Sequence, residues 1–84
     1  MPSPPPASLT PAFGAVIKEL RTSRGMSQWE LSDAAGVHRN TPGLIERGER
    51  VPSLDTIQAF ARAFDMEAWE LVREAESRVN GPPR

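Results

Sequence analysis

The sequence predicts an all-α fold, a compact domain of five short helices, and three observations carry that prediction. Its 84 residues suffice for one domain at most. Apolar residues recur at helical spacing, with no strand-like alternation anywhere. Cap and stop residues then cut this pattern into five segments.

Residues 1–8, MPSPPPAS, offer almost no side chain to a core and read as an extended, disordered, Pro-rich arm. The first helix is expected to open with Thr10 as N-cap and Pro11 at its first position. Phe13, Val16, Ile17 and Leu20 share one face, and Gly25 stops the run. Ser27-Gln28-Trp29-Glu30 is a capping box that starts a second helix over about residues 27–35. Leu31, Ala34 and Ala35 form its inner face, and Gly36 turns the chain. A third helix falls between His38 and Arg47, closed by Gly48. The fourth begins after Ser53 as cap and carries Leu54, Ile57, Phe60, Ala61 and Phe64 as its apolar stripe. The fifth covers roughly Glu67 to Ser77, with Ala68, Leu71 and Val72 apolar and Trp69 beside them. The domain therefore spans residues 9–76, and residues 77–84 form a flexible tail.

Composition narrows the function. Without cysteine there is no disulfide framework and no thiolate metal site, and the single histidine, His38, cannot build a multi-His site. There is no nucleophile–base pair, no Gly-rich phosphate loop with its lysine and no metal-ligand spacing, so the chain does not read as an enzyme and implies no cofactor. No apolar run approaches a membrane span, and a cytoplasmic location is expected. Net charge is −1, a poor sign for nucleic-acid binding, but the charges are unevenly placed. Lys18, Arg21, Arg24, Arg39, Arg47, Arg50 and Arg62 slightly outnumber the acidic groups between residues 18 and 62, whereas acidic groups prevail after residue 63. A modest positive face is compatible with this distribution and a broad basic patch is not.

Two short helices joined by a turn, at residues 27–35 and 38–47, form the unit that presents one helix to the DNA major groove. Gln28 sits just past the second helix's cap, where outward amides and the helix dipole suit a DNA phosphate. His38, Arg39, Asn40 and Thr41 occupy the start of the third helix. Arg can bond bidentately to guanine O6 and N7, Asn to adenine N6 and N7, and Thr can meet a thymine methyl. Arg47 and Arg50 are placed to meet the flanking backbone. Each of these residues would elsewhere be an ordinary solvated side chain. His38 serves equally well as a weak substitute cap.

The landmarks Ile17-Lys18-Glu19-Leu20-Arg21, Gly25-Met26-Ser27-Gln28, Glu30-Leu31, Ala35-Gly36-Val37, Ile45-Glu46-Arg47-Gly48, Pro52-Ser53-Leu54 and Glu70-Leu71-Val72 together resemble the phage lambda repressor/Cro-like (XRE-type) family of helix-turn-helix transcriptional regulators. The resemblance runs from about Phe13 to Val72. It implies a lambda-repressor-like DNA-binding domain and a regulator that binds double-stranded DNA; from the sequence itself, no added domain large enough for a small-molecule effector is expected. It also implies that Arg21 pairs with Glu46, tying the first helix to the end of the third. Ser32 replaces the family's usual Ala, and its hydroxyl can bond back to a helix carbonyl.

Pro42 departs further, standing where the family has a bulky apolar residue. With His38 as cap, Pro42 would lose a helical amide bond and crowd a carbonyl. With Thr41 as cap, Pro42 would take the favoured first position and leave His38, Arg39 and Asn40 on a loop. Gly43 adds a helix cost of up to about 1 kcal/mol. If the proline merely marks a late helix start, replacing Pro42 by Ile is expected to lengthen the third helix and refill an apolar site. The competing function is a protein-interaction module that keeps the fold but has lost DNA reading through Pro42-Gly43. A domain this small can hardly bury all its apolar residues, so Trp69 and Val72, flanking Leu71, are expected to form a two-fold homodimer contact.

Overall fold

The computed structural model describes residues 8–80. These form α1 (Leu9–Ser23), α2 (Gln28–Ala35), α3 (Thr41–Glu46), α4 (Leu54–Ala63) and α5 (Ala68–Asn80), with no strand among the described residues. The arm, apart from Ser8, and the last four residues of the tail lie outside the described residues.

Helix α1 is the central element, packing on both α5 and α3, while α2 rests on α3 and α4 and α4 on α5. Val16 and Ile17 of α1, Leu31 of α2, Ile45 of α3, Phe60 of α4 and Leu71 of α5 are all fully buried in one cluster. Each such side chain contributes about 1.5–3 kcal/mol relative to exposure. Gly14 lets α1 lie directly on the α3 backbone, since a Cβ there would stand 2.2 Å from the Ile45 carbonyl oxygen. That contact sets where α3 sits.

Several boundaries differ from the sequence reading. Helix α1 starts two residues early: Ser8 precedes it without a side-chain cap bond, and Pro11 falls at the third position. The first four amides of a helix have no intrahelical partner, so proline is tolerated throughout that turn. In α2 the expected capping box forms, with the Glu30 amide donating to Ser27 Oγ at 3.0 Å and the Ser27 amide to Glu30 Oε1 at 2.9 Å. Ala34, however, is exposed, and Ser32 is buried in its place with its hydroxyl donating to the Trp29 carbonyl at 2.6 Å. Leu54 is 84% exposed and leaves the α4 stripe to the residues after it. Ser77 to Asn80 belong to α5 rather than to a tail. Arg78 reaches Glu19 at 2.8 Å, and half-buried Val79 packs on the core, so the helix gains tertiary contacts to its end.

Helix α3 is the shortest of the five and begins at Thr41, not His38. Asn40 is its N-cap and Pro42 its second residue, one position later than the first-position alternative. The residue four before Pro42 is outside the helix, so the ring meets no helical carbonyl and no amide bond is lost. The ring is also fully buried. Pro42 thus fills the apolar site itself, and the expected gain from refilling it with Ile disappears.

Candidate nucleic-acid interface

The site is assembled where the start of α2 meets α3. Helix α2 ends at Gly36, whose φ of +69° reverses the chain, and the Val37 amide donates back to the Ser32 carbonyl at 3.0 Å. Glycine meets that left-handed conformation without steric cost. The next residues form a turn rather than helix. The Asn40 amide donates to His38 Nδ1 at 3.1 Å and the Thr41 amide to the His38 carbonyl at 2.9 Å. His38 is therefore a local cap for the turn, while Arg39 and Asn40 stay exposed. Asn40 makes no side-chain cap bond, which leaves its amide open to solvent. Thr41 is only 7% exposed, so its hydroxyl is not presented at the surface.

An ion pair fastens this region to α1. Arg21 forks onto Glu46, Nε to Oε2 at 2.7 Å and Nη2 to Oε1 at 3.0 Å, and its Nη1 donates to the Met26 carbonyl at 2.7 Å. The Glu46 side chain is 2% exposed. The hydrogen bond from Arg21 to Glu46 holds the guanidinium's pKa above its already high ordinary value, against the opposing effect of burial. Gln28 joins the same carboxylate, Nε2 donating to Glu46 Oε1 at 3.1 Å. The side-chain carbonyl of Gln28 lies toward Gly43 of α3. Glu46 thus joins α1, α2 and α3 at one carboxylate.

Outside this clamp lies an open, mostly polar cleft of about 360 Å³, lined by Gln28, Arg39, Asn40, Gly43, Leu44 and Arg47. Four of the seven residues expected at the interface, Gln28, Arg39, Asn40 and Arg47, come together there. His38, Thr41 and Arg50 do not line it. Arg47 pairs through Nε with Glu49 Oε2, with both side chains more than half exposed. Such a pair is weak and exchangeable for a phosphate. Leu44 and Gly43 were not foreseen as part of a site. The only signal for Gly43 was the cost it carries inside a helix.

A second concavity, apolar and about 250 Å³, lies between α1, α4, α5 and the α3–α4 loop, with Leu9, Phe13, Val51, Leu54, Ile57 and Val72 among its walls. Val72 is half-buried there; Trp69 is 60% exposed and does not line the groove. No helix among the described residues is long and apolar enough to cross a membrane.

Five helices with a tight turn between the second and third, and a donor-lined cleft at that turn, define a helix-turn-helix domain. The Helix-turn-helix family model matches residues 17–68, and the chain belongs to that family, one of transcriptional regulators rather than enzymes. It is 31% identical over 68 residues to the cryptic phage CTXphi transcriptional repressor RstR of Vibrio cholerae, a match covering 81% of this chain and 61% of the repressor, less than two thirds of its length. Among solved structures it resembles the restriction-modification controller protein C.AhdI of Aeromonas hydrophila, with TM-score 0.70 and 43% identity over 75% of this chain and 94% of that one. The clp gene regulator ClgR of Corynebacterium glutamicum matches with TM-score 0.81 and 25% identity over 92% and 81%.

Proposed function

We propose that this chain is a sequence-specific, DNA-binding transcriptional regulator that works as a homodimer, setting α2 and α3 in the major groove. The observation that carries the reading is the cleft at the α2–α3 junction. Two guanidinium groups and two amides converge there, and the adjoining Glu46 carboxylate is already occupied by Arg21 and Gln28. The names of relatives as repressor, controller and regulator support it. Gln28 meets a phosphate at the start of α2, a position the Glu46 bond maintains. Arg39 and Asn40, on the exposed turn before α3, take the base edges, where Arg matches guanine and Asn matches adenine. Arg47 and Arg50 hold the flanking backbone. Thr41, being buried, drops out of direct contact, and His38 acts by shaping the turn that presents its two neighbours.

The two-fold contact centres on the apolar groove. Val51 and Leu54 are 74% and 84% exposed at its edge, and Val72 lines its wall. Trp69, expected at the centre of this contact, serves at most as its flank. Pairing two copies would bring together apolar surface that each copy leaves in water and would present two reading elements to successive half-sites. The protein-interaction alternative rested on a Pro42-Gly43 break in the reading helix and on the near-neutral net charge; a proline in the first turn removes the proline's share of that break.

Selection from random-sequence DNA followed by a salt titration tests the reading. A recovered half-site motif with affinity falling steeply as salt rises is the expected result. No enriched motif, with binding absent at low salt, would overturn it.

A further inference from the structure

Gly43 is the residue of the cleft that local propensity explains least. It lies in the middle of a six-residue helix, where glycine is disfavoured, and its φ is negative, so no left-handed conformation demands it. A Cβ added there would meet Arg47 Nη1 at 3.0 Å and Gln28 Oε1 at 3.2 Å. Any larger side chain would occupy the space that these two residues border. Leu44, next to it, is half-buried and supplies the one apolar side chain lining an otherwise polar cleft. The missing side chain lets Gln28 and Arg47 close against the buried backbone of α3, and Leu44 gives the cleft they border a single apolar patch among hydrogen-bond donors.

Resting on the regulator reading above, we infer that this cleft is a thymine seat, with Leu44 receiving the C5-methyl and a donor of the cleft, from Asn40, Gln28 or an arginine, meeting O4. Of the four bases seen from the major groove, thymine alone combines an acceptor with a methyl group. Guanine shows two acceptors, adenine an acceptor and a donor, and cytosine a donor without a methyl. A cleft with donors around one apolar side chain complements the first pattern, and a Cβ at position 43 would push Gln28 and Arg47 off the helix. A local rule broken at the position that lets two residues of the cleft close on the helix is the pattern expected of a functional constraint.

The test uses the full chain and an operator from the random-sequence selection. Each thymine of one half-site is replaced in turn by deoxyuridine, which keeps O4 and the base pair and removes only the methyl. Wild type should lose about three- to fivefold in affinity at one position, the scale of one buried methyl group. Gly43→Ala, which favours the helix, should fold at least as stably as wild type yet bind the thymine operator more weakly and lose the thymine preference. Leu44→Ala should lose the same preference, as read from the ratio of its affinities for the thymine and uracil operators. Wild type that binds every uracil operator as tightly as the thymine one overturns the inference, as does a preference that survives in both variants. Either result leaves the regulator reading standing, whereas failure to select any operator removes that reading itself.

Discussion

Replacing Glu46 by alanine should cost the domain about 3 kcal/mol. Its carboxylate accepts two bonds from Arg21 and one from Gln28 while remaining 2% exposed, and the Arg21 side chain is 11% exposed. Truncation leaves Arg21 with its bond to the Met26 carbonyl and a charge that is poorly solvated. Breaking a buried pair by removing one member costs roughly 3–5 kcal/mol, and the residual exposure of Arg21 places this case at the lower end. The total stability of a domain this size is on the order of 5–10 kcal/mol, so the variant should be visibly marginal. Urea unfolding followed by tryptophan fluorescence measures it, and the second arm is the double variant Arg21→Met, Glu46→Leu. Removing both charges removes the stranded one, so the double variant should be more stable than Glu46→Ala. A loss below about 0.5 kcal/mol for the single variant, or a double variant worse than either single, would refute the reasoning. Because Gln28 shares the carboxylate, DNA affinity should fall in Glu46→Ala even at temperatures where it stays folded.

Four further outcomes follow from the same geometry. Pro42→Ala should destabilise by about 2 kcal/mol, from two lost methylenes at about 0.8 kcal/mol each and a smaller chain-entropy effect; an unchanged urea midpoint would show the ring to be in solvent. Gly14→Ala should cost at least about 1–3 kcal/mol, because its Cβ would meet the backbone oxygens of Ile45 and Glu46 at 2.2 and 3.0 Å, and a variant that unfolds like wild type would refute the close approach. Glu30 should titrate below the ordinary glutamate range, as the Ser27 amide and hydroxyl bond its charged form. Its contribution to α2 is then full above the ordinary value and lost as pH falls through the depressed one, which carboxyl NMR titration would detect and a normal midpoint would refute. Leu54→Glu should yield a folded monomer while wild type sediments as a dimer, and a wild-type monomer at high concentration would remove the groove as a dimer contact.

Much of the fold was legible because its signals are local. The Ser27–Glu30 box, the Ser53 cap and the apolar spacing of Val16, Ile17, Phe60 and Leu71 each act within one turn of helix, and each appears in the structure. What was not legible depends on partners far along the chain. Nothing near Ser77 announces that Arg78 finds Glu19 or that Val79 reaches the core, so the last turn of α5 looked like a tail. Nothing near Gly14 announces that the Ile45 carbonyl lies against it. Leu54 has the spacing of a core residue, yet it is 84% exposed and lines the apolar groove instead.

Pro42-Gly43 shows the same division most sharply, because both residues were read by helix propensity and both are governed by position. Propensity applies to a helix interior, where an amide has a carbonyl to bond and a side chain has room. Pro42 escapes the first condition by standing second in α3, and its buried ring then does the packing that a bulky aliphatic residue would otherwise do. Gly43 escapes the second because Gln28 and Arg47 already stand where its side chain would go. One of the two residues faces the core and the other faces the cleft. A dipeptide that looks like a defect along the chain is therefore divided between the two faces of α3, the proline filling the core and the glycine leaving room for Gln28 and Arg47 to close on the helix.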